Sequence, residues 1–381
     1  MFNLELELYR AYLDARKGGK RKTEDEHIFE VNAFENLKNL ERSIINRTYE
    51  PSRSEAHIIE KPVIREIFAA PFRDRIVHHL IFSTVYDWWD KRFIYDSYSC
   101  RKNKGVLFGI QRLDHHIRSV SQNYTKKAFV IKLDISGYFM SLPRKELLEL
   151  ALRGLNQQFE GQTHTTKYQT LKFLWQRTIL DDPTKYAKRK GDIKNWERLP
   201  KNKSLFSQPK GVGIVIGNLT SQLLSNIYLN RLDRFITHTL GYKHYGRYVD
   251  DFYIVVKEDD LEQLKHDVSV IEEYLKSVKL TLHPKKRLLT DTKRGIPFLG
   301  AVVHHGYIIP GERLKKNIIK AYKEVVAGEK GPETVPSYLG HLRHINGYTL
   351  AKLAFELAGW DYEDDNWFDC RMGCRGKKNE N

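Results

Sequence analysis

Apolar residues recur along this chain at two spacings, and the places where one gives way to the other sketch a fold. Phe34, Leu37, Leu40, Ile44 and Ile45 keep a helical spacing that stops before Pro51, so the first fifty residues read as helices. Residues 56–68 are β-prone and carry Lys61 and Arg65. Between Phe72 and Trp89, the residues Ile76, Val77, Leu80, Ile81, Thr84 and Val85 fall along one stripe, which predicts a packed helix. The run from Phe129 to Leu133 reads as a buried strand that ends on Asp134. A polar, Pro- and Lys-rich stretch over 181–211 follows neither period and is expected to be a surface loop without regular elements.

Gly217-Asn218-Leu219-Thr220-Ser221 predicts a helix start with capping side chains, and Leu224, Tyr228, Leu232 and Phe235 line one side of that helix. Gly217 lets another group approach its backbone closely. Tyr248-Val249-Asp250-Asp251 then leads into the apolar run from Phe252 to Val256 and predicts a hairpin. Residues 261–278 make a charged amphipathic helix, and Ile296-Pro297-Phe298-Leu299-Gly300 opens another hairpin toward Tyr307. This order predicts an α+β domain with a split βαβ antiparallel sheet. From Leu314 onward Ile318, Tyr322, Val325, Leu339, Leu342, Ile345 and Leu353 keep helical spacing. A chain of 381 residues divides naturally into lobes: a helical extension over 1–55, a central domain over 56–310 and a small helical lobe over 311–381.

Charge changes the picture more than composition does. Lys and Arg number 64 against 48 Asp and Glu, a formal charge of +16 that favours a polyanion, with nucleic acid the first candidate. The 21 Tyr residues add aromatic faces suited to stacked bases. No basic, apolar signal opens the chain and no apolar run approaches a membrane span, so no membrane partner is expected. Three cysteines make no disulfide framework, which fits a reducing cytoplasm. Cys370 and Cys374 are at best half of a metal site, and free thiols in a tail suit them better.

Neighbouring residues on a strand face opposite ways, so Asp250 and Asp251 can serve one point only from a hairpin tip. A solvated turn is the plain alternative. If Asp134 ends the adjacent strand, three carboxylates converge and can hold two Mg²⁺ ions, with Mn²⁺ as a substitute. One ion would activate a primer 3′-hydroxyl and the other would bind the triphosphate in an in-line displacement.

The blocks 61–75, Tyr98-Ser99-Cys100-Arg101, 132–143, 213–232, 245–256, 280–287 and 297–300 together resemble, in order, those of a reverse transcriptase of the group II intron and retron superfamily. Ile216-Gly217-Asn218-Leu219-Thr220-Ser221-Gln222 resembles the diversity-generating retroelement branch, as do Lys203-Ser204-Leu205-Phe206 and Tyr338-Leu339-Gly340-His341-Leu342. The resemblance implies a right-hand polymerase, with fingers and palm over 56–310 and a helical thumb over 311–381. It implies metal ligation by Asp134, Asp250 and Asp251, with help from the backbone carbonyl of Ile135. Nucleotide contacts would come from Lys61, Arg65, Ile216, Gly217, Gln222 and Lys286, Lys285 leaving the register of the last one open. Phe139 would sit under the sugar as a steric gate, its alternative being core packing. Phe298, Leu299 and Gly300 would grip the primer.

Accurate relatives carry Gln-Gly where this chain has Ile216-Gly217, and in the diversity-generating branch that change accompanies error-prone copying of template adenines. The implied partners are template RNA, its cDNA, dNTPs and a basic accessory variability determinant protein. Two other readings stay open: a retron-type or phage-defence reverse transcriptase, and a catalytically idle RNA-binding scaffold. The last gives no reason to keep three mutually repelling carboxylates.

Overall fold

The computed structural model describes residues 2–17, 23–60 and 63–331, with residues 342, 344–347, 350, 352 and 353. Three helices lead: α1 (Leu4–Ala15), started by the Asn3 side chain, α2 (Glu24–Val31) and α3 (Ala33–Ile45). The β-prone segment is two strands, β1 (Glu55–Ile59) and β2 (Arg65–Ala69), followed by α4 (Phe72–Asp90) and α5 (Val106–Val120). Next come β3 (Ala128–Ile135), the short α6 (Tyr138–Ser141), α7 (Arg144–Gln158) and α8 (Thr166–Leu180). β4 (Lys188–Arg189) and α9 (Ile193–Arg198) precede α10 (Leu219–Arg234), β5 (Tyr245–Tyr248) and β6 (Asp251–Lys257). The rest is α11 (Leu261–Ser277), β7 (Leu282–Asp291), β8 (Ile296–Phe298), β9 (Ala301–His304), β10 (Tyr307–Pro310) and α12 (Glu312–Val326).

These elements form two compact units. The first comprises Met1–Tyr95, Ile135–Gly241 and Val270–His283. Helix α4 lies at its centre, with Phe72, Ile76, Val77, Leu80, Ile81 and Val85 all buried, and packs against α1 and α10. The stripe on α3 is narrower than its spacing suggests: Leu40 and Ile44 are buried, whereas Phe34 is 72% and Ile45 60% exposed.

The 181–211 stretch is not the featureless loop expected. β4 pairs with β1, Lys188 and Lys190 donating backbone hydrogen bonds to the carbonyls of Ser54 and Ala56, both 2.9 Å. Buried Glu66 on β2 accepts from the Ser204 hydroxyl at 2.7 Å and the Leu205 N–H at 2.8 Å, pinning the far end of the stretch. A buried carboxylate needs such partners, and they outweigh the segment's poor intrinsic propensity. Asn218 does stand at the start of α10, but its side chain makes no capping bond.

His78 on α4 is buried, and burial, with the charges of His79 and Arg75, pushes its pKa down to about 3. It lines a small cavity with Asp74, Arg144 and Asp181, where burial raises both carboxyl pKa values. The unfolded imidazole binds a proton near pH 6.5 and the native one does not, so its contribution to stability falls away from pH 6.5 toward pH 3. By linkage this is about 2 kcal/mol at pH 5. The two carboxyls act in the opposite sense. Urea unfolding of wild type and His78→Gln at pH 7 and pH 5 separates them, the variant losing less stability on acidification. An equal loss in both proteins would show that His78 is not buried neutral.

The second unit comprises Asp96–Asp134, Tyr242–Ser269 and Pro284–Asn381. Its main sheet has strand order β5-β6-β3-β7, with β6 antiparallel to both of its neighbours, and β8, β9 and β10 form a second antiparallel sheet. Helix α5 packs against β5, β6 and β9, so Ile110, Leu113 and Ile117 share a core with Val130, Tyr253, Val255 and Phe298. The expected α+β class is what the chain adopts. Among the described residues no helix is long and apolar enough to cross a membrane. Lys61, 338–341, Cys370 and Cys374 lie outside the described residues, and of the expected thumb only 311–331, which holds α12, and a few isolated positions lie within them.

Candidate active site

Register brings the acids together. Tyr248 pairs with Asp251 across β5 and β6, so Val249 and Asp250 form a two-residue turn, and Asp251 in turn pairs with Asp134 across β6 and β3. Directly opposed residues hold their Cβ atoms roughly 5 Å apart. One cross-strand pair and one turn residue therefore share the end of the sheet.

The turn is unusual in its sequence. Two-residue hairpin turns need positive φ and normally take Gly, Asn or Asp there. Here the position is filled by Val249 at φ 57°. A β-branched residue in that region costs on the order of 1–2 kcal/mol.

Burial and like charge act on the trio. Burial first, then the charge of Asp134, pushes the pKa of Asp250 up to about 6. Burial also raises Asp251, against the pull of Lys132, whose ammonium lies 3.5 Å from its carboxylate. Lys286 donates to Asp134 Oδ2 at 2.9 Å, which puts its ammonium beside the trio. Lys132 also donates to the Pro297 carbonyl at 2.8 Å and so ties the main sheet to β8.

Hard carboxylate oxygens held close enough to repel one another are a donor set that suits a divalent cation taking oxygen ligands. Among the described residues, the three-member group with ligand atoms all within 4.8 Å of one another is Glu26, His27 and Glu30, not the aspartates. Arg16 already bonds both of those glutamates and offsets part of their charge. Asp134 and Asp251 each face a lysine instead.

Phe298, Leu299 and Gly300 lie in the same unit as the aspartates. Phe298 pairs with Ala301, which leaves Leu299 and Gly300 as a two-residue turn, both with positive φ. Phe298 itself is core, 2% exposed, its ring edge-on to Tyr253 at 5.1 Å. Only the turn pair is presented at the sheet's end.

The remaining nucleotide-contact candidates belong to the first unit. Arg65 opens β2 and is exposed, and Gln222 is exposed on the first turn of α10. Phe139 and Ile216, both half-buried, pack on one cluster containing Ala56, Phe68, Met140 and Leu205. The Phe68 N–H donates to the Ile216 carbonyl at 2.9 Å, and the Ile214 N–H to the Phe139 carbonyl at 2.9 Å. Gly217 has φ 129°, and a Cβ there would lie 2.3 Å from the Phe68 carbonyl oxygen. Only glycine fits that approach. Ile135 completes β3 beside Asp134.

Sequence reasoning missed the groups beneath the turn. Arg247 is fully buried, and its guanidinium donates to the Val249 carbonyl at 2.9 Å. Around it Asp96 accepts two hydrogen bonds from Arg112, at 2.6 and 3.0 Å, while the Tyr98 and Tyr253 hydroxyls meet at 2.8 Å and the latter reaches His116 at 3.1 Å. Burial works against it, but hydrogen bonds and charge from His116 and Arg112 hold the Asp96 carboxyl far below the usual carboxylate range. The one signal in the sequence was Tyr98-Ser99-Cys100-Arg101, a block without an assigned job.

A family model for reverse transcriptase (RNA-dependent DNA polymerase) matches residues 59–303, which include all three aspartates, Lys286 and the Leu299-Gly300 turn. No curated protein matches the chain. Among solved structures, telomerase from Candida albicans in complex with a TWJ fragment of telomeric RNA is similar at 13% identity and a TM-score of 0.48, over 82% of this chain and 57% of that one. Apo telomerase from Candida tropicalis is similar at 13% identity and a TM-score of 0.45, over 81% and 58%. The chain thus spans somewhat over half the length of these telomerases. With the family model covering well over half of its residues, the chain belongs to the reverse transcriptase (RNA-dependent DNA polymerase) family.

Proposed function

We propose that this chain copies a template RNA into cDNA as an RNA-directed DNA polymerase of the diversity-generating retroelement kind, introducing errors opposite template adenines. The observation that carries the polymerase reading is the Asp134–Asp251 cross-strand pair with Asp250 at the adjoining tip, inside the family match. Reverse transcriptase domains use divalent metal ions, and Asp134, Asp250 and Asp251 are the groups here that would hold Mg²⁺, with Mn²⁺ as a substitute and the Ile135 carbonyl assisting. Bound there, the ions would supply charge neutralisation and an activated 3′-hydroxyl.

The chain's own residues would do the rest. Lys286, whose ammonium lies beside Asp134, would donate a proton to the leaving pyrophosphate. Arg65, and Lys61 near it in sequence, offer cationic donors to a triphosphate, a guanidinium binding phosphate in bidentate fashion. The half-exposed ring of Phe139 would exclude a 2′-hydroxyl. Leu299 and Gly300 would steady the primer strand, and Gln222 and the Gly217 backbone the nucleotide. The fingers and palm would span 56–310 and the thumb 311–381, with a basic accessory protein as partner.

Ile216 carries the mutagenic reading. An amide at this position can hydrogen-bond near the sugar of the nascent pair, whereas the isoleucine offers only apolar contact. Sequencing of cDNA made from one defined RNA by wild type and by Ile216→Gln tests this. Errors opposite adenine should fall several-fold in the variant while errors opposite the other bases change little. Equal adenine error rates would remove the diversity-generating part of the proposal and leave the polymerase.

A further inference from the structure

We infer that residues 96–101 and Arg247 form a clamp that imposes the conformation of the Val249-Asp250 turn, which makes Ser99 and Arg247 positioning residues for the aspartate at its tip. Both backbone groups of Val249 are captured. Its N–H donates to the Ser99 hydroxyl at 3.1 Å, and its carbonyl accepts from the Arg247 guanidinium at 2.9 Å.

The captors are themselves fixed. The Arg247 N–H donates to the Asp96 carbonyl and its own carbonyl accepts from the Tyr98 N–H, both at 2.9 Å, so the 96–98 segment lies along β5 as a short parallel addition to the sheet. Ser99 is 3% exposed and Arg247 0%. A guanidinium so buried is costly unless its donors are satisfied, so its place beneath this turn is a commitment of the fold.

The turn needs such a hold because of its sequence. Gly or Asn would take positive φ readily, but Val249 does so against its own preference. Freed of the clamp, Val249 would relax toward negative φ and carry Asp250 away from Asp134 and Asp251. The Tyr98-Ser99-Cys100-Arg101 block thereby gains a role. It acts on the acids through the backbone, 150 residues away in sequence.

The inference rests on the reading of the trio as a divalent-cation site, and the test separates the two. Binding of Mn²⁺ to the full chain without nucleic acid is followed by the electron paramagnetic resonance signal of the free ion, beside single-nucleotide extension on an RNA template. Ser99→Ala should weaken Mn²⁺ binding about tenfold and slow extension to match, and adding Val249→Gly should restore both to within about threefold of wild type, since glycine adopts the turn unaided. Ser99→Thr, which keeps the hydroxyl, should bind better than Ser99→Cys, and this ordering serves if Ser99→Ala does not fold. Unchanged Mn²⁺ affinity in Ser99→Ala, a loss that Val249→Gly does not relieve, or an ordering that follows side-chain size would overturn the clamp. A wild-type chain that neither binds Mn²⁺ nor extends a primer would instead overturn the polymerase reading beneath it.

Discussion

Asp250→Asn is expected to reduce dNTP incorporation by about three orders of magnitude or more, because it removes one of three anionic groups proposed to hold the metal ions. Binding of RNA should stay within a few-fold of wild type, since that affinity comes from phosphate contacts spread over a chain of charge +16. Stability should move the other way. Asp250 is ionised at neutral pH although burial and its neighbours raise its pKa from 3.8 to about 6. The folded state carries that repulsion, up to about 3 kcal/mol by linkage, and loses it as pH falls through 6 toward 3.8. In EDTA, then, the amide variant should melt at or above the wild-type temperature. An inactive variant that also melts well below wild type would mean lost folding and not lost chemistry, and one that extends primers normally would sink the metal assignment.

The second large effect is at Gly217. Alanine there would bring a methyl 2.3 Å from the Phe68 carbonyl oxygen and 3.1 Å from Ile67, on a backbone at φ 129°. The obstacle is a strand backbone that already bonds Ile216, so it cannot turn aside as a side-chain end could. Overpacking with dihedral strain should cost about 2–4 kcal/mol, a fall in melting temperature of roughly 5–15 °C for a unit of this size. Gly161→Ala is the control: its φ is also positive, at 74°, but nothing lies within 4 Å of the added methyl, and its cost should be about 1 kcal/mol. Calorimetry on both variants decides the matter, and equal melting temperatures would show that the β2 contact is not tight. Because Arg65 opens β2 and Ile216 adjoins Gly217, a folded Gly217→Ala protein should also show a raised KM for dNTPs.

Much of this arrangement was legible in the chain. The stripe on α4, the strand ending on Asp134 and the hairpin bearing Asp250-Asp251 follow from period and turn chemistry alone. The opposition of Asp134 to Asp251 depends on register between strands more than a hundred residues apart, which local pattern does not contain. Arg247 was missed for a related reason. Arginine is normally a surface residue, and what holds it buried is a backbone carbonyl two residues on and a segment far upstream. The 181–211 stretch misled in the other direction, because Glu66 and the edge of β1 supply partners its own sequence lacks. Phe298 read as part of a presented loop, yet its place opposite Ala301 turns the ring inward.

The most direct measurement is extension of a DNA primer by one nucleotide on an RNA template, offering the four dNTPs separately at each template base in Mg²⁺, with wild type and Asp250→Asn side by side. The account predicts template-directed addition by wild type, relaxed only opposite adenine, abolished by EDTA and absent in the variant. Addition that ignores the template, addition that the variant retains, or none by wild type in either Mg²⁺ or Mn²⁺ would contradict it.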